Sequence, residues 1–339
     1  MSSLTRRETL TGRERLNGES NGASWPLQPL QNVLQNPAVQ SLLAGGMAGI
    51  VSRTAVAPIE RVKILLQVQS LSARGHTPRH TSVVGSLHSI VKTEGVGGLW
   101  RGNSANCVRV FPSSALQFYC YPQWKLALFG EREDLTPLER LSAGALAGAV
   151  AQTVTYPLDF IRARLTVDMR SRYSGGVWSA MYTVVRTEGP LALYRGIVPS
   201  LVGIMPYVGI DFAVYDVLRD MLPRRAPGSD EPTVLGKLAA GGVAGACAQT
   251  VAYPLDTVRR ILQVQDTVHA VQTAPRSEAY TGMLDCLVRL VRRDGVLALY
   301  SGLGANYLKV VPSVGVSFVV FEATKQWFKE VFPPPAKRP

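Results

Sequence analysis

The same sequence unit occurs three times along this chain, and this repetition limits the fold more than any other feature. Each copy begins with a GxxxG segment, and the first glycines, Gly45, Gly144 and Gly241, lie 99 and 97 residues apart. Thirteen residues later stands a proline, with an acidic residue two positions on. The three motifs read Pro58-Ile-Glu60-Arg61-Val-Lys63, Pro157-Leu-Asp159-Phe-Ile-Arg162 and Pro254-Leu-Asp256-Thr-Val-Arg259. The chain is therefore built from three copies of one structural unit.

Each copy is predicted to contain two long helices separated by a loop and a short amphipathic helix. Long helices that carry GxxxG segments are typical of membrane bundles. The predicted fold is an all-α membrane protein of three tandem repeats, each with two transmembrane helices and one short amphipathic helix. The repeats cover residues 37–130, 136–222 and 233–330. We expect disordered tails at 1–36 and 331–339 and a flexible polar loop at 266–280.

The composition fits helices with one lipid-facing side and one wet, charged side. Apolar residues make up 46% of the chain, charged residues 18%, and the mean hydropathy is only +0.10. The net charge of +12 predicts an anionic partner. No nucleic-acid-binding motif is present, so nucleic acid is not the expected partner. The four cysteines form no metal-ligand pattern, and no nucleophile–base constellation indicates an enzyme.

The three proline motifs closely resemble the signature of the mitochondrial carrier family, and the resemblance extends over residues 37–330. It implies a six-helix bundle with threefold pseudosymmetry, which functions as a monomer. It also implies a matrix gate made of the pairs Glu60–Arg162, Asp159–Arg259 and Asp256–Lys63. Gln67 and Gln263 match the glutamines that brace this gate, whereas the second repeat has Thr166 at that position.

A second, cytoplasmic gate is implied on the even-numbered long helices. Its residues are Tyr121, Lys125, Tyr215, Asp216, Arg219, Glu322 and Lys325. The expected pairs are Lys125–Asp216 and Arg219–Glu322. The acid that would pair with Lys325 is replaced by Pro122, so we expect this gate to be the weaker one.

The family's lipid sites are implied where each even-numbered helix begins, because backbone amides there can hold a phosphate. The matching residues are Arg101, Gly102, Arg195, Gly196 and Gly302. Ser301 replaces the basic residue of the third copy. The resemblance therefore implies cardiolipin as a bound structural lipid, with no other cofactor and no metal.

The substrate site is implied between the two gates. Arg53, Arg109 and Lys309 match basic substrate contacts, and we interpret them as unpaired cations that bind phosphates. Gly203-Ile204 and Tyr207 match a slot for an adenine ring.

These residues are closest to those of the adenylate, ATP-Mg/phosphate and coenzyme A carriers. The predicted function is exchange of adenine nucleotides (ATP, ADP, AMP) by alternating access across the mitochondrial inner membrane; peroxisomal and plastid members share the motifs. Two alternatives remain open. One is a carrier of coenzyme A or adenosine 3',5'-bisphosphate, and the other is a proton-leak protein on the same fold.

Overall fold

The computed structural model describes residues 36–71, 82–132, 134–168, 173, 175–221, 233–272 and 279–332. Of the predicted tails at 1–36 and 331–339, residues 1–35 and 333–339 lie outside this range, whereas Val331 is the last residue of α9. The described part is helical and contains no strand. Its nine α-helices are α1 (Pro37–Val68), α2 (Val83–Glu94), α3 (Asn103–Phe129), α4 (Pro137–Val167), α5 (Gly176–Glu188), α6 (Ile197–Met221), α7 (Val234–Gln272), α8 (Met283–Asp294) and α9 (Leu303–Val331).

The order of elements repeats three times: a long helix, a short helix, a 3₁₀ turn and a second long helix. The 3₁₀ turns are Val96–Trp100, Pro190–Tyr194 and Val296–Tyr300. Each short helix ends at a glycine with positive φ, Gly95, Gly189 or Gly295. This conformation suits glycine, which has no Cβ to clash. The motif prolines Pro58, Pro157 and Pro254 lie inside α1, α4 and α7, which continue past them.

The predicted loop at 266–280 was placed too early, because α7 continues to Gln272. Tertiary contacts stabilise the helix at the point where the loop was predicted to begin. The amide of Gln265 bonds with the backbone of Tyr280 in both directions, at 3.0 and 3.2 Å. Asp266 forms ion pairs with Arg164 and Arg195. The two arginines lie far away in sequence, so local composition did not reveal these ion pairs.

The described chain forms two compact units. The larger comprises residues 48–320, and the smaller combines residues 36–47 with 321–332. In the larger unit, the short helices pack their apolar faces against the long helices. For example, Val177 and Ala180 of α5 join Phe160 and Ile161 of α4 in one hydrophobic cluster. In the smaller unit, Gln40 Nε2 donates to the Phe332 carbonyl at 2.9 Å.

Three helical segments are long and apolar enough to span a membrane: Val39–Leu71, Pro190–Arg219 and Val296–Val331. Helices α4 and α7 are as long as these but carry several charged side chains on one face. Those charges form the site described below.

Candidate functional site

Six charged side chains from α1, α4 and α7 form a closed ring, which we call the ion-pair layer. Arg162 Nη2 lies 2.6 Å from Glu60 Oε2, Arg259 Nη2 lies 2.5 Å from Asp159 Oδ2, and Lys63 Nζ lies 2.7 Å from Asp256 Oδ2. Each acid thus pairs with a base from another repeat. Acid and base stand three residues apart on one face of each helix, so one helix can contact both of its neighbours.

Two glutamines support the layer. Gln263 Nε2 donates to Asp159 Oδ2 and to the Tyr156 hydroxyl, both at 3.0 Å. Gln67 Nε2 donates to Asp256 Oδ2 at 3.1 Å, but its buried Oε1 has no hydrogen-bond partner. At the equivalent position of the second repeat, the Thr166 hydroxyl donates to a carbonyl of its own helix instead. The brace is therefore unequal across the three repeats.

Two further cations join the layer. Arg260 Nη1 donates to Asp159 Oδ2 at 3.2 Å and to Gln263 Oε1 at 2.9 Å. Lys309 Nζ donates to Glu60 Oε1 at 3.2 Å. The sequence interpretation of Lys309 as an unpaired cation was wrong, because α9 brings its ammonium within reach of a carboxylate on α1. Arg260 was not predicted as a site residue; its position next to Arg259 was the available signal.

The other two predicted phosphate contacts lie near this layer without a counterion of their own. Arg53, on α1, forms no ion pair with the described residues. Arg109, on α3, has a buried Nε without a hydrogen-bond partner, and it lies close enough to Asp159 to interact with it electrostatically. Buried or membrane-embedded cations are costly without a partner, so these two residues mark a place where an anion would be stabilised.

The predicted adenine slot lies on α6, which packs against α7. A Cβ at Gly203 would lie 3.6 Å from Leu255 Cβ, an ordinary van der Waals distance, so this glycine faces α7 at close range. Ile204 is half-buried, and Tyr207 is 37% exposed. The tyrosine side chain is therefore partly accessible, and Gly203 lies at the contact between α6 and α7.

The predicted cytoplasmic gate is not closed in the larger unit. Among its described residues, Lys125 and Asp216 form no ion pair, and Asp216 and Arg219 are exposed. Tyr121 lies beside Gly144 of α4, and Tyr215 is half-buried. In the smaller unit, Lys325 Nζ lies 5.5 Å from the Phe321 ring centroid, and Glu322 is half-buried.

The predicted lipid positions show two different roles. Gly102, Gly196 and Gly302 have φ between +81° and +86°, each directly before α3, α6 or α9. Arg101 and Arg195, in contrast, point toward acids: Arg101 Nη1 lies 3.1 Å from Glu94, and Arg195 pairs with Asp266. Both arginines therefore already pair with acids in this structure, and their contact with lipid stays a prediction. A cavity of about 570 Å³ lies beside Arg195 and Gly196 and is also lined by Thr281 and Gly282.

Two buried arginines that were not predicted as site residues join neighbouring repeats. Arg61 pairs with Glu94 at 2.7 Å and donates to the Thr166 carbonyl at 3.2 Å. Arg164 pairs with Glu188 and donates to the Gln263 carbonyl at 3.1 Å. They stand at different positions relative to the motif proline, so alignment of the repeats does not reveal their shared role.

In the described part of the third repeat, no arginine makes the equivalent buried contact. Thr257 occupies the position of Arg61 and donates to the Leu299 carbonyl at 2.7 Å. Instead, Arg293, on the short helix α8, donates to the Ser70 carbonyl, and its side chain is 48% exposed. Outside the ion-pair layer, two junctions between repeats therefore contain a buried arginine, whereas the third has a contact from the exposed side chain of Arg293.

The described residues contain no group of three or more possible metal ligands. Cys286 is fully buried in α8, and burial raises the pKa of its thiol to about 12. A thiol in this environment stays protonated and unreactive. We therefore interpret Cys286 as a packing residue rather than a nucleophile.

Comparison with known proteins agrees with this architecture. The mitochondrial carrier protein family matches the chain three times, at residues 34–132, 133–226 and 230–332. A mitochondrial adenine nucleotide transporter of Arabidopsis thaliana is 46% identical over 306 residues, covering 84% of this chain and 86% of the relative.

Two other relatives are similar over most of this chain. A mitochondrial adenyl nucleotide antiporter of Homo sapiens is 38% identical over 85% of this chain, which spans 58% of that relative's length. A mitochondrial substrate carrier family protein of Dictyostelium discoideum is 38% identical over 87% of this chain and 96% of its own. With its three matched repeats and their acid–base ring, the chain belongs to the mitochondrial carrier family and has that family's six-helix fold.

Proposed function

We propose that the protein exchanges adenine nucleotides across the mitochondrial inner membrane by alternating access. The observation that carries the proposal is the charge around the ion-pair layer. Among the described residues, three carboxylates, Glu60, Asp159 and Asp256, face five cations, Lys63, Arg162, Arg259, Arg260 and Lys309. Arg53 and Arg109 add two more cations nearby. This excess of positive charge favours a substrate with several negative charges.

A phosphorylated compound fits this environment better than a simple carboxylate. Guanidinium groups bind phosphate oxygens through paired, charge-assisted hydrogen bonds. The accessible ring of Tyr207 offers a surface on which a base can stack. The relatives whose names include an adenine nucleotide substrate support the same class of cargo. They are named as transporters, and this supports a transport function rather than catalysis.

The proposed transport cycle uses the two predicted gates. With the ion-pair layer formed and Lys125–Asp216 apart, the described residues fit a state closed toward the matrix. Bound nucleotide would offset the cost of separating the layer, after which the cytoplasmic pairs would close. A ligand shifts such an equilibrium only by its difference in affinity between the two states. We further propose that the protein acts as a monomer and that cardiolipin binds at the Gly102, Gly196 and Gly302 helix starts.

Exchange by reconstituted proteoliposomes tests the proposal. Vesicles loaded with ADP would be exposed to labelled ATP, ADP, AMP, coenzyme A or adenosine 3',5'-bisphosphate. We expect uptake of ATP, ADP and AMP that requires internal nucleotide. Uptake restricted to coenzyme A or the bisphosphate would replace adenine nucleotides with that substrate, and failure with every adenine compound would refute the proposal.

An arginine pair provides the matched control. Arg109→Gln removes a buried cation near the layer, whereas Arg132→Gln removes a cation that is 66% exposed and pairs loosely with Glu139 at 3.7 Å. We expect Arg109→Gln to lower the rate of ATP exchange on the order of a hundredfold, which corresponds to loss of one charge-assisted contact. Arg132→Gln should leave the rate within about twofold of wild type.

A further inference from the structure

Three side chains occupy equivalent positions in α1, α4 and α7, on the N-terminal side of the ion-pair layer and five residues before each motif proline. They are Arg53 on α1, Gln152 on α4 and Gln249 on α7. Each precedes its gate acid, Glu60, Asp159 or Asp256, by seven residues. Seven residues are almost two helical turns, so each side chain lies on the same face as its acid, roughly 10 Å along the helix. At this level of the bundle, the first repeat supplies a charged side chain, and the second and third repeats supply uncharged amides.

The contacts between α6 and α7 show which amide lies near the predicted base slot. A Cβ at Gly203 would lie 3.6 Å from Leu255 Cβ, and a Cβ at Gly245 would lie 3.7 Å from Asp211 Oδ1. The two helices are therefore antiparallel in this region, and Tyr207, midway between Gly203 and Asp211, lies opposite residues 249–251. Of these, Gln249 shares its face with Asp256. We therefore place Gln249 of α7 next to Tyr207 of α6.

The Gln249 amide is available to a ligand. It is half-buried and takes part in no hydrogen bond with the described residues. The glutamines below the layer differ, because Gln67 and Gln263 already donate to gate carboxylates. Gln152 also differs, because its Nε2 is buried away from solvent without a partner. Gln249 is therefore the amide of this level that combines accessibility with proximity to Tyr207.

From this geometry we propose that Gln249 determines base specificity by hydrogen bonding to the edge of the adenine ring that stacks on Tyr207. An amide carries a donor and an acceptor side by side, and these match adenine N7 and the N6 amino group. Hypoxanthine presents two acceptors there, so it satisfies only the donor. The phosphates extend toward Arg53, Arg109 and Lys309. This inference rests on the proposed nucleotide exchange and names the residue that reads the base.

The test compares ATP with inosine triphosphate in the proteoliposome assay. Wild type should prefer ATP, and Gln249→Met, which keeps the length of the side chain, should reduce the ATP-to-inosine-triphosphate ratio on the order of tenfold. Gln152→Met makes the same change at the equivalent position away from Tyr207, and it should preserve the ratio. An unchanged ratio in Gln249→Met, or equal loss in both variants, would overturn the proposal.

A measurement on wild type keeps the test decisive even if Gln249→Met does not fold. Thermal stabilisation of the purified protein by ATP should exceed that by 7-deaza-ATP, which lacks the N7 acceptor, and equal stabilisation would overturn the assignment. A wild type that exchanges ATP and inosine triphosphate equally would overturn the role of Gln249 alone. A wild type that exchanges no adenine compound would overturn the proposed function as well.

Discussion

Arg259 and Arg260, adjacent on α7, both donate to the same carboxylate oxygen, Oδ2 of Asp159, at 2.5 and 3.2 Å. Gln263 donates to that oxygen as well. Asp159 is 1% exposed, so its charge is balanced by these partners rather than by water. The second-repeat acid is therefore the most heavily bonded of the three gate acids.

We expect substitutions of Asp159 and of Arg260 to lower the stability of the protein by different amounts. Asp159→Asn leaves two guanidinium groups without their shared counterion and should cost about 3–5 kcal/mol of stability, as loss of one partner of a buried pair does. Arg260→Gln leaves Arg259 on Asp159 and should cost less. Thermal unfolding of the purified protein in detergent measures both. Asp216→Asn, at an exposed acid without an ion pair, serves as the control, and an Arg260→Gln effect as large as that of Asp159→Asn would contradict the assignment.

The junctions between repeats predict a second asymmetry. The side chains of Arg61 and Arg164 are 1% and 0% exposed, whereas that of Arg293 is 48% exposed. We expect Arg61→Gln and Arg164→Gln each to cost about 3–5 kcal/mol, since Glu94 and Glu188 would lose buried partners. Arg293→Gln should cost less than about 1 kcal/mol. The same unfolding assay compares the three variants, and equal effects would show that burial does not distinguish these junctions.

Close backbone approach at the start of α9 leads to a third prediction. Gly302 and Gly295 have nearly equal φ values of +86° and +82°, but a Cβ at Gly302 would lie 2.9 Å from the Lys63 carbonyl oxygen. A Cβ at Gly295 would meet nothing within 4 Å. Each alanine substitution adds the conformational cost, roughly 1–2 kcal/mol, and Gly302→Ala also forces α9 away from α1. Gly302→Ala should therefore unfold at a clearly lower temperature than Gly295→Ala.

The two bracing glutamines predict a fourth difference. Gln263 uses both ends of its amide, since it donates to Asp159 and Tyr156 and accepts from Arg260. Gln67 leaves its Oε1 buried without a partner. Gln263→Leu should therefore destabilise the protein more than Gln67→Leu, by about 1–3 kcal/mol for the buried groups left unpaired. Similar melting temperatures for the two variants would count against this account of the brace.

The ion-pair layer was predictable from the sequence, whereas several contacts between helices were not. The acids and bases of the ion-pair layer lie within one helical motif that repeats, so their partners followed from the repeat and the family resemblance. Lys309 was misjudged because its contact with Glu60 depends on how closely α9 lies to α1. Arg61 and Arg164 escaped notice because they reach similar surroundings from different positions in their helices. The start of the loop after α7 was misplaced because Asp266 pairs with Arg164 and Arg195, which are distant in sequence.

The sequence by itself determined the threefold repeat, the helical class, the family and the residue types of the gates, because these depend on local periodicity and on motifs that recur. Only the tertiary structure decided which cations share an acid, which arginines turn inward to join repeats, and which amide lies opposite Tyr207. Those relationships join residues from separate helices. Their distances depend on helix packing and register, which no single stretch of sequence specifies.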